Sequence, residues 1–285
     1  MKNKSKTRIH LKDIILQGSL FCLIYIALFL ISSPWLTQAL MDQKRTQYSI
    51  YNFTPEEIKK NILQAEASEE QSAIEAPDFG TVLSNITVID RKDVVGAIAI
   101  SDLKLLLPVL EGTTTSNLIV GATTIKAGQV MGKGNYCLAG HHMKNDELLF
   151  GPLLQIKVGS LIQLSDKKTI YTYQVTETRI VPETDLTVLK DQSVPLLTLI
   201  TCDISGINTD NRFIVIGELV DESNESTGNE YVSRFKHQVN QIKKEEVAIK
   251  YCFNFWLIII FVLSLVMQIL LIRLSRTRLK KKKLS

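Results

Sequence analysis

Three side chains suited to nucleophilic and acid–base chemistry lie at the ends of short apolar segments. Leu196–Cys202 is apolar and β-branched, as a buried strand is, and it ends on a cysteine. Tyr136–His142 is a similar segment that ends on a pair of histidines. A third segment (Arg-Phe-Ile-Val-Ile-Gly) begins at Arg212. The sequence thus predicts a thiol, an imidazole and a guanidinium at strand ends, where a rigid sheet can fix them.

The spacing of these residues predicts how they meet. A hairpin between the cysteine strand and the arginine strand sets Cys202 and Arg212 beside each other at one end of the pair. Neighbouring residues of a strand face opposite sides of the sheet, so only one of His141 and His142 can point into a shared site. We expect His142 on the opposite face.

The cysteines leave two interpretations open. Cys22 and Cys252 lie in or beside predicted membrane spans, which leaves Cys137 and Cys202 in the domain between them. Those two can pair as a structural disulfide outside the cell. Cys137 lies inside an apolar strand, as a small buried hydrophobic residue does, and this favours a free thiol.

Two apolar segments are long enough to cross a bilayer, Ile14–Ser32 and a stretch from about 253 to 272. A cleaved signal peptide is the alternative for the first, but the segment is long and Pro34 follows the small pair where cleavage would occur. Basic residues flank both segments on their terminal sides, which predicts that both termini are cytoplasmic. We therefore expect a cell-membrane protein whose central domain is extracellular.

The net charge of +4 has much of its basic excess in the two tails. Such tails favour anionic lipid headgroups as the partner. The sequence has no phosphate-binding glycine loop, metal-ligand spacing or nucleic-acid module, so we expect no cofactor, no metal and no nucleic-acid partner.

The predicted organisation follows from these patterns. The run from Phe53 to Ile58 (Phe-Thr-Pro-Glu-Glu-Ile) is a complete helix start, with a capping box on Thr54. The predicted segments are a cytoplasmic basic tail (1–13), a transmembrane helix (14–33), an extracellular helical stalk (34–80), a compact domain that carries the three candidate side chains (81–220), a polar linker (221–250), a second transmembrane helix (251–272) and a second cytoplasmic basic tail (273–285).

Short apolar runs separated by Gly, Asn, Asp and Pro predict an all-β barrel or sandwich with short helical connections. The predicted strands are Val82–Ile89, Val94–Ile100, Leu118–Ala122, Tyr136–His142, Leu161–Leu164, Ile170–Val181, Leu196–Cys202 and Arg212–Leu219.

Several motifs resemble those of sortases, the cysteine transpeptidases of Gram-positive cell surfaces. Thr198–Cys202 matches their Thr-Leu-X-Thr-Cys signature, Ala139–His141 matches their histidine motif, and Arg212 lies where their arginine does. Thr184–Leu189 resembles the Thr-Asp-X-X-Val-Leu loop of the class A enzymes. The resemblance covers residues 85 to 220 and implies a closed eight-stranded β-barrel, here flanked by two transmembrane helices.

The resemblance also implies a reaction. Sortases cut a Leu-Pro-X-Thr-Gly (LPXTG) sorting signal between Thr and Gly through a thioacyl enzyme and pass the acyl group to an amine. Cys202 would be the nucleophile, His141 the general acid and base, and Arg212 a fixed cation at the site. Thr201 would support the oxyanion through its side chain or its amide. The residues that match the Leu-Pro groove are Ala139, Val181, Leu186, Val188, Leu189 and Ile200, for which plain core is an equally open interpretation.

Two features complicate the subtype. A C-terminal span is typical of class C, the pilin polymerases, whereas the core motifs are class A-like. We favour a class A-like core, for which surface proteins with an LPXTG-type signal and the amine of the cell-wall precursor (lipid II or a peptidoglycan cross-bridge) are the expected partners. A pilin lysine as acceptor is the alternative, and an inactive binding scaffold is a third. Some class A enzymes bind calcium, but the matching positions here hold Lys126, Gln129 and Lys133, and we expect Asp191 to form an ion pair instead.

Overall fold

A computed structural model gives the architecture. It describes residues 3–65, 79–85, 87–143, 148–203, 210–226, 233, 235–237, 240–241 and 266. In this part of the chain, eight strands close into a barrel in the order β1-β2-β3-β4-β7-β8-β6-β5. The predicted closed eight-stranded barrel is therefore confirmed. Its strands are β1 (Val94–Ile100), β2 (Leu105–Leu110), β3 (Ala122–Thr124), β4 (Asn135–Ala139), β5 (Leu161–Ser165), β6 (Thr169–Pro182), β7 (Leu196–Cys202) and β8 (Asn211–Asn224).

Helices connect and flank the strands. The α-helices are α1 (Asn3–Gln47), α2 (Pro55–Gln64), α3 (Phe79–Asn85) and α4 (Thr115–Leu118). Short 3₁₀ turns occupy Ile50–Asn52, Arg91–Asp93, Ser101–Leu103, Gly151–Gln155 and Leu186–Leu189.

Three strand pairs position the candidate site. β4 lies parallel to β7, with Ala139 opposite Ile200. On its other side β7 pairs antiparallel with β8, and β8 pairs antiparallel with β6. The ends of β4, β6 and β7 and the start of β8 therefore meet at one end of the barrel.

Alternation along these strands separates two apolar clusters. Leu138 of β4 and Leu197 and Leu199 of β7 pack into the main core inside the barrel. Ile200 belongs to a second, smaller cluster with Val181, Val188 and Ile214 on the outer face of the sheet. Because side chains alternate across a strand, this outer face also receives every second residue that leads to Cys202.

The helices before the barrel pack against it. The capping box predicted at Thr54 is present, since Thr54 and Glu57 exchange hydrogen bonds between side chain and backbone. Ile58 of α2 is buried in the main core. Asn61 donates hydrogen bonds to the carbonyl oxygens of Arg91 (2.9 Å) and Val94 (2.8 Å), so α2 is fixed at the start of β1.

Within the described residues, no helix combines the length and the apolar character that a bilayer crossing requires. The second predicted span, 251–272, lies outside them apart from one position. The predicted spans and segment boundaries stay predictions.

Two of the predicted strands are wrong. The stretch Val82–Ile89 falls in α3 and the turn after it, because Val82 packs into the core from a helix. The stretch Leu118–Ala122 ends α4 and begins β3, which runs only from Ala122 to Thr124. The eighth strand of the barrel is β2, which the sequence did not predict because its leucines and Pro108 do not favour a strand.

Candidate active site

Cys202 and Arg212 are register partners across the β7–β8 pair, as the predicted hairpin requires. Cys202 is the last residue of β7, and only 1% of it is exposed. Arg212 is the second residue of β8. The sheet therefore fixes a thiol and a guanidinium on neighbouring strands at one end of the barrel.

His141 follows β4 at the position level with Cys202. The last paired residues are Ala139 and Ile200, and His141 and Cys202 each lie two residues beyond them. The Gly140 amide donates to the Ile200 carbonyl (3.1 Å), which continues the pairing toward the histidine.

Gly140 is required because of what packs on it. A Cβ at this position would lie 2.6 Å from the ring of Phe150, too close for any side chain. The Phe150 amide also donates to the His141 carbonyl at 3.0 Å. The aromatic residue and the glycine together hold the backbone that carries the imidazole.

Burial sets the charge of that imidazole. His141 is 1% exposed, and among the described residues neither ring nitrogen has a hydrogen-bond partner. Desolvation lowers the pKa of His141 to about 4, because an imidazolium without partners is costly in an apolar environment. The ring is therefore neutral near pH 7.

His142 has different contacts. Its Nδ1 lies 3.3 Å from the carbonyl oxygen of Asp203, and its backbone forms an isolated bridge with Leu149. Alternation puts His141 on the face of Ala139, which lines the outer groove, and His142 on the opposite face, as predicted.

Thr201 uses its hydroxyl within the fold. Its Oγ1 donates to the Gly140 carbonyl oxygen at 2.8 Å, and the side chain is buried. This contact ties the end of β7 to the residue before His141 and gives Thr201 a positioning role. Support of the oxyanion by Thr201, which the resemblance implies, stays a prediction.

Arg212 forms an ion pair that the sequence did not indicate. Its Nη2 lies 2.5 Å from Oε2 of Glu183, and its Nη1 donates to the Asn211 carbonyl at 3.0 Å. Glu183 directly follows β6, where Pro182 pairs with Asn211. The guanidinium is therefore held at the mouth of the groove by an acidic group on the neighbouring strand end.

An open groove runs along the outer face of the sheet beside these residues. All six residues matched to the Leu-Pro groove line it, so they form a surface and not only a core. Apart from Arg212, which was predicted as a site residue, sequence reasoning missed the rest of the lining, although Ile214 follows Arg212 by two residues and strand alternation would have found it. The additional lining residues are Thr113, Ile125, Pro182, Glu183, Asp185, Arg212 and Ile214.

Cys137 is not linked to Cys202. Neither cysteine is in a disulfide in the part of the chain that the structure describes, so the disulfide interpretation is wrong. Burial raises the pKa of the Cys137 thiol to about 12, because the thiolate would lose its hydration. A thiol with so high a pKa is a poor nucleophile at neutral pH.

The predicted ion pair between two loops is confirmed. Lys126 Nζ lies 2.8 Å from Oδ1 of Asp191, and the same oxygen accepts the Asn135 amide at 2.8 Å. Gln129 exchanges two hydrogen bonds with the backbone of Cys137 (2.8 and 2.9 Å), so this side chain pairs with β4 as a strand would.

We expect transfer rates to be equal, within error, in chelator and in millimolar calcium. The ammonium of Lys126 already neutralises Asp191, and it repels a cation from the positions that the resemblance matches to calcium ligands. Steady-state rates with EGTA and with added CaCl₂ check this. Lys126→Glu, which replaces the ammonium with an oxygen ligand, is the matched variant. A several-fold rise with calcium in the unmodified chain would contradict the expectation.

Comparisons with known proteins find similar sequences over the barrel. The sequence model of the family described as "Sortase domain" matches residues 98–220. The chain is 38% identical over 197 residues to Sortase A of Listeria monocytogenes serovar 1/2a, across 69% of this chain and 88% of that protein. It is 41% identical over 149 residues to Sortase A of Bacillus anthracis, across 52% of this chain and 70% of that protein.

A solved structure, that of sortase A from Listeria monocytogenes, is 43% identical and has a TM-score of 0.46. That match covers 49% of this chain and 94% of the solved one.

Proposed function

The chain belongs to the sortase family, with a class A-like core, and we propose that it cleaves an LPXTG-type sorting signal and transfers the acyl part to a cell-wall amine. One observation carries the proposal: the thiol of Cys202, the imidazole of His141 and the guanidinium of Arg212 occupy matched positions on three adjoining chain segments. A thiol placed beside a base is the usual arrangement for covalent catalysis.

In the first step Cys202 Sγ attacks the carbonyl carbon of the signal's threonine. The thiol proton passes to His141, whose buried ring is neutral before the step. The carbon–nitrogen bond to glycine then breaks as His141 returns this proton to the leaving amine. The product is a thioester between Cys202 and threonine.

In the second step an amine attacks the thioester. His141 takes the proton of the incoming amine, and Sγ leaves and recovers a proton from His141. The same residue therefore acts as base and then as acid in each step, and the cysteine returns to its starting state.

Arg212 supplies fixed positive charge at the groove mouth. Arginine keeps its charge at any pH the enzyme meets, and its planar fork suits a carbonyl oxygen or an oxyanion. Cys202, its neighbour in register, brings the reacting carbonyl close to this cation.

The groove is the proposed binding site for the leucine and proline of the signal. Its lining is mostly aliphatic, from Val181, Val188, Ile200 and Ile214, and it ends beside Arg212. Apolar side chains bound there are removed from water, while the cation remains at the scissile end.

We also propose that two spans hold the enzyme in the cell membrane with the barrel outside. The support is the sequence: two apolar segments of bilayer length, each bounded by basic residues toward its terminus. This placement brings the barrel to surface proteins and to lipid-linked cell-wall precursor.

The purified full-length chain in mild detergent, incubated with a sorting-signal peptide and a panel of amines, tests the proposal. We expect cleavage between Thr and Gly, with the acyl fragment joined to a cross-bridge amine, as mass spectrometry of the products shows. A peptide carrying a pilin-type lysine is the second acceptor, since the predicted C-terminal span favours class C chemistry. An intact peptide under all conditions would support a scaffold instead.

A further inference from the structure

We propose that Asn135 and Thr198 are positioning residues that hold one wall of the groove in its binding conformation. The wall is defined here as residues 186–191, the 3₁₀ turn Leu186–Leu189 and the two residues after it. The role in substrate binding rests on the proposed function, whereas the contacts between these two residues and the wall do not.

Asn135 makes three hydrogen bonds to the wall from the first position of β4. Its Nδ2 donates to the carbonyl oxygens of Val188 (2.8 Å) and Lys190 (3.1 Å). Its backbone amide donates to Oδ1 of Asp191 at 2.8 Å. Only 2% of Asn135 is exposed, so water does not compete for these bonds.

Thr198 fixes the orientation of that amide. Its Oγ1 donates to Oδ1 of Asn135 at 2.7 Å and lies 3.5 Å from the Val188 carbonyl oxygen. Thr198 is fully buried, and it shares a face of β7 with Ile200 and Cys202 because it precedes them by two and four residues. The strand that ends on the nucleophile therefore also anchors the groove.

The other contacts that hold the wall include the cap of its turn by Asp185, which accepts from the Thr187 amide (3.0 Å), and the ion pair of Lys126 with Asp191 (2.8 Å). The wall is a single short 3₁₀ turn, a structure with poor intrinsic hydrogen-bond geometry, and it pairs with no strand among the described residues. Leu186, at its start, is 66% exposed. Asn135 holds the backbone of Val188 through the carbonyl oxygen, while the Val188 side chain lines the groove.

This arrangement predicts a binding effect rather than a chemical one. With the wall held in place, the sorting signal meets a formed groove and does not have to order it. Loss of Asn135 or of Thr198 releases the wall. It leaves His141 and Arg212 in place, because the hydrogen bonds described above do not involve these two catalytic residues. The KM should therefore change and kcat should not.

The test compares four variants of the full-length chain in detergent. Thr198→Val removes the hydroxyl at nearly constant volume, and Asn135→Ser removes both side-chain donations directly. Thr198→Ser keeps the hydroxyl. Thr172→Val is the matched control, since Thr172 is a buried strand threonine on β6 whose hydroxyl accepts from Gln163 (3.5 Å) and which does not line the groove.

We expect Thr198→Val and Asn135→Ser to raise KM for the sorting-signal peptide about tenfold, with kcat within about twofold, as loss of one buried hydrogen bond allows. Thr198→Ser should stay near the unmodified chain, and Thr172→Val should not change KM. Unchanged KM in both groove variants, or an equal rise in Thr172→Val, would overturn the proposal.

Hydrogen exchange separates this inference from the proposed function. The amides of 186–191 should exchange roughly tenfold faster in Thr198→Val than in Thr172→Val, because local opening becomes easier. Equal exchange in the two variants overturns the positioning role, whichever substrate the enzyme uses. If the unmodified chain cleaves no sorting peptide while exchange differs as expected, the proposed function fails and the anchoring of the wall stands.

Discussion

Cys202→Ala is expected to abolish both cleavage and transfer, because no other described thiol has the position to replace Cys202. Cys202 is the last residue of β7. It lies at the same level of the sheet as His141 and is the register partner of Arg212. Without the sulfur there is no covalent intermediate, and what remains is only binding. Product formation from the sorting-signal peptide, followed by mass spectrometry, is the measurement.

Cys137→Ala is the matched control. The Cys137 thiol donates weakly to the Asn135 carbonyl at 3.4 Å, and burial raises its pKa to about 12, so it takes no part in the proposed chemistry. Most of the activity should survive this change. A comparable loss in both variants would contradict the assignment of Cys202 as the only nucleophile.

His141→Ala should lower kcat by about 10²–10⁴-fold, the range that general acid–base catalysis contributes. The leaving amine would depart without a proton donor, and the thiol would lose its base. Binding should change little, since the groove is formed by other residues. Steady-state kinetics with the peptide, kcat and KM determined separately, measure the effect.

His142→Ala tests the assignment of faces. The His142 ring lies against the Asp203 carbonyl and has no place in the proposed proton transfers. We expect a lower melting temperature, because the residue is buried, and a far smaller loss of kcat than in His141→Ala. A larger loss in His142→Ala would mean that the register of β4 is off by one residue.

Strand signals predicted most of the positions around the site. β7 has the bounds expected from its β-branched run, and Arg212 lies opposite Cys202 as the hairpin requires. These positions follow from the local pattern of apolar residues and from the alternation of side chains along a strand, both of which can be read from the sequence. The same holds for the helix start at Thr54.

Contacts between distant segments were harder to foresee. The strand β2 contains Pro108 and many leucines, so only its pairing with β1 makes it a strand. Val82 has a β-branched side chain in a predicted strand, yet the main core receives it from a helix. Tertiary packing overrides local propensity at both places.

The partners of the site residues show the same limit. Glu183 is far from Arg212 in sequence, and only the β6–β8 pairing brings its carboxylate to the guanidinium. Asn135 reads as an ordinary polar residue before a strand, and its bonds to Val188 and Lys190 depend on how the wall folds back. Lys126 and Asp191 were predictable because the family resemblance aligned both loops.

The mass of the intact chain tests the central claim most directly. The full-length protein is mixed with a sorting-signal peptide in the absence of added amine and quenched in acid during turnover. We predict a species heavier by the acyl fragment that ends in threonine, attached at Cys202 by peptide mapping and released by hydroxylamine, as a thioester is. The adduct should be absent in Cys202→Ala and present in Cys137→Ala. Peptide cleavage without any adduct at Cys202, or an adduct on another residue, would contradict the account.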